Sequence, residues 1–286
     1  MFFRKILALV MVCAIALCGC AFAEAETGDW WNILLLGTDN RDEQEGYSRT
    51  DSMIILSVNT VSGEAKLTSL MRDTWVKIPG HGSAKLNAAS VYGGPELTME
   101  TISGNFGVEI QDYMLINITG LADVIDVLGG IRIDVTEAER KAINKGLFDL
   151  SSRSGMEKLE SSGEDVLLNG NQAVAYSRIR MIDSDYVRTE RQRSVLVKLA
   201  EKLQEEVNMI TIAGTLTTLL PYVETSLGLS DLISLASVGL GMDFDSIGEL
   251  RLPADGTFES GTYDGVWCIK PNFDKNRALL HDFIYG

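Results

Sequence analysis

Histidine and cysteine are nearly missing from this chain. Only His81 and His281 occur in 286 residues, so a Ser-His-Asp triad or a histidine-based metal centre is poorly supplied. Of four cysteines, Cys13, Cys18 and Cys20 fall near the start, leaving Cys268 alone. That excludes an intrachain disulfide and a multi-thiolate metal site in the remainder. Positive charge is also scarce: 25 Lys and Arg stand against 40 Asp and Glu, a formal charge of −15. An acidic chain repels polyanions, which argues against a nucleic-acid partner. No repeat of fixed period is present.

What is present begins with an export signal. Arg4 and Lys5 precede an apolar run from Ile6 to Leu17, followed by small residues. Three endings are compatible with residues 1–23. Ala21-Phe-Ala23 fits cleavage after Ala23, Leu17-Cys-Gly-Cys20 resembles a lipobox that leaves a lipid on Cys20, and an uncleaved anchor is the third. Each places the rest outside the cytoplasm, at the outer face of the membrane or in the cell wall. Removing the two basic residues takes the charge to −17, 23 basic against 40 acidic.

Residues 24–31 read as a linker, 32–207 as a core, and 208–286 as the C-terminal part of the same domain. Ile33–Leu36, Asp51–Asn59, Ala65–Leu70, Tyr113–Ile118, Ile131–Val135, Ile247–Leu252 and Gly265–Ile269 carry strand patterns. Helices are expected over Asn87–Phe106 with a break at Gly93-Gly94-Pro95, over Leu121–Leu128, Glu137–Lys145, Asn169–Ser177, from the arginine-rich stretch to about Val207, over Ser230–Gly241 and over Asn272–Ile284. Gly146–Gly163 reads as a surface excursion. The alternation predicts a single α/β domain with a mixed central β-sheet flanked by helices on both faces.

One stretch demands explanation. Tyr176–Arg193 holds five arginines and two aspartates. On a helix, Arg188 and Arg191 share a face with Val195 and Leu199 and so point inward, whereas Arg193 falls opposite Val195. An inward guanidinium needs an anion. Asp183, Asp185 and Glu190 are nearby candidates for an ion-pair network; a phosphate site is the other reading. Three further clusters lie at strand ends, where sites of open α/β sheets gather. Asp39, Arg41, Arg49 and Asp51 flank one loop, and the two aspartates either cap turns or share a divalent cation such as Mg2+ through hard oxygen ligands. Arg72-Asp73 follows the third strand, and Lys85 precedes a helix. With one Mg2+ held by the two carboxylates, Arg72, Lys85, Arg178, Arg180, Arg188 and Arg191 can neutralise a polyanion such as a pyrophosphate.

The order Leu-Leu-Leu-Gly-Thr-Asp39-Asn-Arg41, Arg49-Thr-Asp51-Ser, Ser69-Leu-Met-Arg72-Asp73-Thr, Lys85-Leu-Asn87-Ala-Ala, Leu168-Asn-Gly, and Tyr176-Ser-Arg178-Ile-Arg180 through Arg188-Thr-Glu-Arg191-Gln192 resembles the LytR–CpsA–Psr family. The resemblance covers roughly Asn32 to Leu203. It implies an exported, membrane-attached phosphotransferase that moves an anionic glycopolymer, of teichoic-acid or capsule type, from an undecaprenyl-pyrophosphate carrier onto peptidoglycan. It further implies Mg2+ as cofactor, Asp39 and Asp51 at the metal and catalytic centre with Arg72, and Arg72, Lys85, Arg178, Arg180, Arg188 and Arg191 on the pyrophosphate. A polyprenyl groove between sheet and helices is also implied. Met71 departs from the family's usual proline before Arg-Asp. Two other functions fit the same residues: a non-catalytic binder of the lipid-linked glycan, and a hydrolase of the lipid pyrophosphate.

Overall fold

The computed structural model describes residues 30–38, 47–147, 157–179, 182, 185–206, 212–263 and 265–286. Alternation along the strands decides which face of the sheet each side chain joins. In β1 (Trp30–Thr38), Leu34 and Leu36 point one way, while Ile33 and Leu35 point the other. β2 (Thr50–Asn59) runs antiparallel beside it in a register that sets Leu35 against Ile54 and Leu34 against Ile55. β3 (Ala65–Leu70) is antiparallel to β2, β6 (Asp112–Asn117) is parallel to β1, β10 (Gly248–Leu252) is parallel to β3, and β9 (Glu224–Thr225) is antiparallel to β6. The result is a six-stranded mixed sheet in the order β10-β3-β2-β1-β6-β9, as the alternating pattern predicts. β1 starts at Trp30, inside the stretch read as linker.

One face is densely filled. Leu34, Leu36, Met53, Ile55, Leu70 and Leu252 pack with Ile102 and Phe106 of α1 (Ala88–Phe106) and with Leu280 and Ile284 of α8 (Phe273–Tyr285). The expected break in α1 is real: Gly93 and Gly94 leave helical geometry. Gly94 has φ +68°, and a Cβ there would run into the Tyr47 ring.

The opposite face is covered by α5 (Asp185–Glu206), α6 (Ile212–Leu219) and α7 (Leu229–Leu240). Beside the sheet, β7 (Ile131–Val135) pairs with β8 (Gly163–Leu168), and α2 (Ile118–Val127), α3 (Glu137–Gly146) and α4 (Gly170–Ser177) join them around a second core of Ile125, Ile131, Ile143, Leu168, Val174 and Val195. Gly163 therefore opens a strand, correcting the far end of the expected surface excursion; residues 148–156 of that stretch lie outside the described residues. Gly170 lets α4 approach α2, because a Cβ would collide with the Ala122 carbonyl.

Two short hairpins project from the ends: β4 (Trp75–Ile78) with β5 (Gly82–Lys85), and β11 (Phe258–Tyr263) with β12 (Val266–Pro271). Only part of β12 carries a strand signature in the sequence. Among the described residues no helix is long and apolar enough to cross a membrane.

Candidate functional site

The second face of the sheet does not close. Between it and α5, α6 and α7 lie two adjoining apolar lobes of about 260 and 320 Å³. Leu35, Met114, Leu196, Leu199, Leu203, Leu216 and Leu232 line both, so the lobes form one elongated space. Leu35, Leu56 and Met114 retain exposed surface inside it, although their neighbours Leu34, Ile55 and Tyr113 are buried on the other side. An interior of this sort, apolar and left unfilled, is suited to a hydrocarbon chain.

Polar residues gather at one end. Thr38, Asp51, Ser52, Asn117, Ser177, Arg178 and Gln192 complete the lining of the first lobe. Thr38 ends β1 and Asp51 lies near the start of the antiparallel β2, with a register shift at Gly37 and Thr38. Arg178 caps the C-terminus of α4, where the helix dipole favours a cation. Asn117 caps the N-terminus of α2, its Oδ1 accepting from Gly120 N at 2.7 Å. The mouth thus receives a guanidinium and the positive end of a helix, both favourable to an anion.

A chain of ion pairs leads away from the mouth. Arg72 Nη1 donates to Asp51 Oδ1 at 2.5 Å, Arg72 Nε lies 3.4 Å from Asp73 Oδ2, and Lys85 Nζ lies 2.6 Å from Asp73 Oδ1. The antiparallel β2–β3 pair brings residues 51 and 72 together, as their strand-end positions predict. Asp51, Arg72 and Lys85 are therefore connected, and Asp51 and Arg178 share the mouth.

Arg188 and Arg191 point inward as the helical spacing requires, at 2% and 4% exposure. Arg191 Nε is held by Glu139 Oε1 of α3 at 2.9 Å, and its guanidinium lies 5.7 Å from the Tyr176 ring centroid. Burial would raise the Glu139 carboxyl, but hydrogen bonds from Thr136 and Arg191 outweigh it and hold the carboxyl below its ordinary value. Burial, reinforced by the Glu139 charge, pushes the Tyr176 hydroxyl up against the opposing effect of Arg191. Neither Arg188 nor Arg191 lines the apolar space. Arg193, set apart in the sequence as facing away from Val195, is buried too, bonded to Glu249 Oε2 at 2.8 Å and Ser69 Oγ at 2.9 Å. Helix α5 is thus buried on two sides.

Asp39, Arg41 and Arg180 lie outside the described residues. Arg49 is exposed. Among the described residues no group of three or more His, Cys, Asp or Glu side chains could enclose a metal ion. Mg2+ does not need such a cage, since one or two carboxylates with phosphate oxygens and waters complete its shell. The partly exposed Asp51 carboxylate beside an anion-favouring mouth has the donor chemistry for that arrangement.

The LytR_cpsA_psr family model matches residues 18–279. The chain belongs to this family. Among LytR_cpsA_psr relatives, the polyisoprenyl-teichoic acid–peptidoglycan teichoic acid transferase TagU of Enterococcus faecalis is 31% identical over 210 residues, 72% of this chain and 64% of that protein. The match thus spans somewhat less than two thirds of TagU. The regulatory protein MsrR of Staphylococcus aureus is 28% identical over 258 residues, covering 88% of this chain and 74% of MsrR. The structure of the LytR-CPS2A-psr family protein YwtF (TagT) with bound octaprenyl pyrophosphate lipid superposes with a TM-score of 0.68 at 25% identity, covering 92% and 94% of the two chains.

Thr38, Ser52, Asn117, Ser177 and Gln192 had not been singled out from the sequence. Asn117 has a readable signal, an Asn between a strand and a helix. Ser177 and Gln192 sit inside the arginine-rich motif and differ from its charged members only by position.

Proposed function

We propose that this protein is a phosphotransferase that moves an anionic glycopolymer from a polyprenyl-pyrophosphate carrier onto peptidoglycan. The observation that carries the reading is the apolar space ending in a mouth lined by Asp51 and Arg178. A polyprenyl tail would fill the lobes, and its diphosphate would rest between Arg178, Arg72 and the N-terminus of α2. The TagU name and the lipid bound by TagT support the substrate class. The basic-then-apolar run at Arg4 to Leu17 supports export to the outer face of the membrane or the wall.

In this reaction an acceptor hydroxyl attacks the sugar-linked phosphorus. The bond from that phosphorus to the bridging oxygen breaks, and polyprenyl phosphate leaves with the bonding pair. The hydroxyl proton passes to a carboxylate, and Asp39 is proposed either for that role or for holding the metal. Arg72 and Arg178 stabilise charge growing on the phosphoryl and leaving oxygens. Held by Asp39 and Asp51, Mg2+ would add Lewis-acid stabilisation to the same oxygens. Arg72 is fixed on two sides by Asp51 and Asp73, which orients its fork before substrate arrives. Lys85, Arg180, Arg188 and Arg191 complete the proposed positive surroundings of the diphosphate, with Arg191 shared with Glu139.

Titration of octaprenyl diphosphate against Arg178→Ala tests the mouth. Loss of a charge-assisted contact, about 1.5–3 kcal/mol, weakens binding roughly 10- to 100-fold. Undiminished binding in both Arg178→Ala and Arg72→Ala would refute the assignment.

A further inference from the structure

The β11–β12 hairpin carries a feature that the diphosphate site does not use. Its base is tied to the body beside Asp73: Ile269 N donates to Asp73 O at 3.0 Å, and Thr74 forms a parallel bridge with Ile269. Ile269 is buried at 1% exposure, whereas Trp267, two residues nearer the turn on the same strand face, is 50% exposed. The indole therefore overhangs the end of the ion-pair chain. Lys85 Nζ lies 5.9 Å from its ring centroid. Thr262, directly opposite Trp267 in the ladder, is exposed on that same face.

A half-exposed indole with a hydroxyl paired to it across the ladder, an ammonium over its ring and a carboxylate beside that ammonium match a pyranose ring. The ring's C–H face stacks on the indole while its hydroxyls reach Thr262, Lys85 and Asp73. The direction of the chain identifies which sugar. Asp51 lines the mouth, Arg72 and Asp73 follow, and Lys85 ends beneath Trp267. A lipid lying in the cavity with its diphosphate at the mouth directs its next group along this line. Resting on the proposed lipid-diphosphate reading, we propose that Trp267, with Thr262 and Lys85, forms the subsite for the first sugar of the donor, the one attached directly to the diphosphate.

The test compares two probes on the full chain, octaprenyl diphosphate and octaprenyl diphosphate bearing a single hexopyranose. Wild type is expected to bind the sugar-bearing lipid about three- to tenfold more tightly than the bare one, the range of one aromatic stacking contact. Trp267→Ala abolishes that ratio while leaving the affinity for bare lipid unchanged, and Trp267→Phe restores part of it. Equal binding of both lipids by wild type overturns this subsite alone. A parallel loss for both lipids in Trp267→Ala, not rescued by Trp267→Phe, also overturns it, since that is the mark of a structural role. Quenching of Trp267 by a soluble peptidoglycan disaccharide, and not by the sugar-bearing lipid, would assign the indole to the acceptor and likewise overturn the proposal. Failure of wild type to bind either lipid removes the lipid-diphosphate reading and the subsite with it.

Discussion

Substituting Met114 by Trp separates an unfilled cavity from an ordinary core. Met114 lies on β6 and lines both lobes. In a close-packed interior a larger side chain costs about 1–3 kcal/mol through strain. Here the indole has some 260 and 320 Å³ of neighbouring apolar space to enter, so the stability loss stays below about 1 kcal/mol. The matching control is Leu34→Trp, on the packed face of β1 at 0% exposure, where the full overpacking cost applies. Lipid affinity responds in the opposite order. An indole that displaces one isoprenyl unit removes the burial of five carbons at about 0.8 kcal/mol each, roughly 4 kcal/mol. At about 1.4 kcal/mol per factor of ten, that is a several-hundredfold rise in Kd for octaprenyl diphosphate. Urea unfolding gives the first quantity and a lipid titration the second. A Met114→Trp protein that is clearly destabilised yet binds the lipid as wild type does would refute the assignment of this space.

The ion pair of half-buried Glu139 with buried Arg191 makes an acid-side prediction. Because the Glu139 carboxyl is held below its ordinary value in the folded state, its contribution is complete above the unfolded-state pKa and is lost as pH falls through the lower folded value. Glu139→Gln should flatten that limb of a stability-versus-pH curve, read by urea denaturation at stepped pH. At the alkaline end, Tyr47 and Tyr113 are raised to about 12, Tyr47 chiefly by its hydrogen bond to Glu224 and Tyr113 chiefly by burial. Raised values of this kind add stability below pH 10 that is lost between about 10 and 12; Tyr47→Phe should remove part of that loss, and phenolate absorbance follows the titration. Gly170→Ala should cost about 3 kcal/mol or more, measured by the melting temperature, because its Cβ would strike the Ala122 carbonyl.

Much of this architecture is written in short-range patterns. The run Ile33 to Leu36 announces a buried strand, and the spacing of Arg188, Arg191 and Val195 gives the inward face of α5. The convergence of Asp51 with Arg72 follows from a β2–β3 hairpin that the Gly63 turn reveals. Other features depend on distant partners. Arg191 takes a carboxylate from Glu139, 52 residues away, which no local pattern in the sequence announces. β4, β5 and β11 are short, and β11 has Gly261 at its centre, so neither propensity nor periodicity marks them. The cavity itself is the least legible element. Leu34 and Leu35 are chemically identical neighbours, and only the fit of α5, α6 and α7 against the sheet decides that one is packed while the other borders open space.

Transfer by the purified chain tests the central claim most directly. With Mg2+, a polyprenyl-diphosphate-linked glycan and peptidoglycan fragments, the account predicts acceptor-linked glycan phosphate in equal amount to released polyprenyl phosphate, with Asp39→Ala and Asp51→Ala blocking both. Free glycan phosphate without acceptor-linked product, or donor lipid bound and left unchanged, would contradict it.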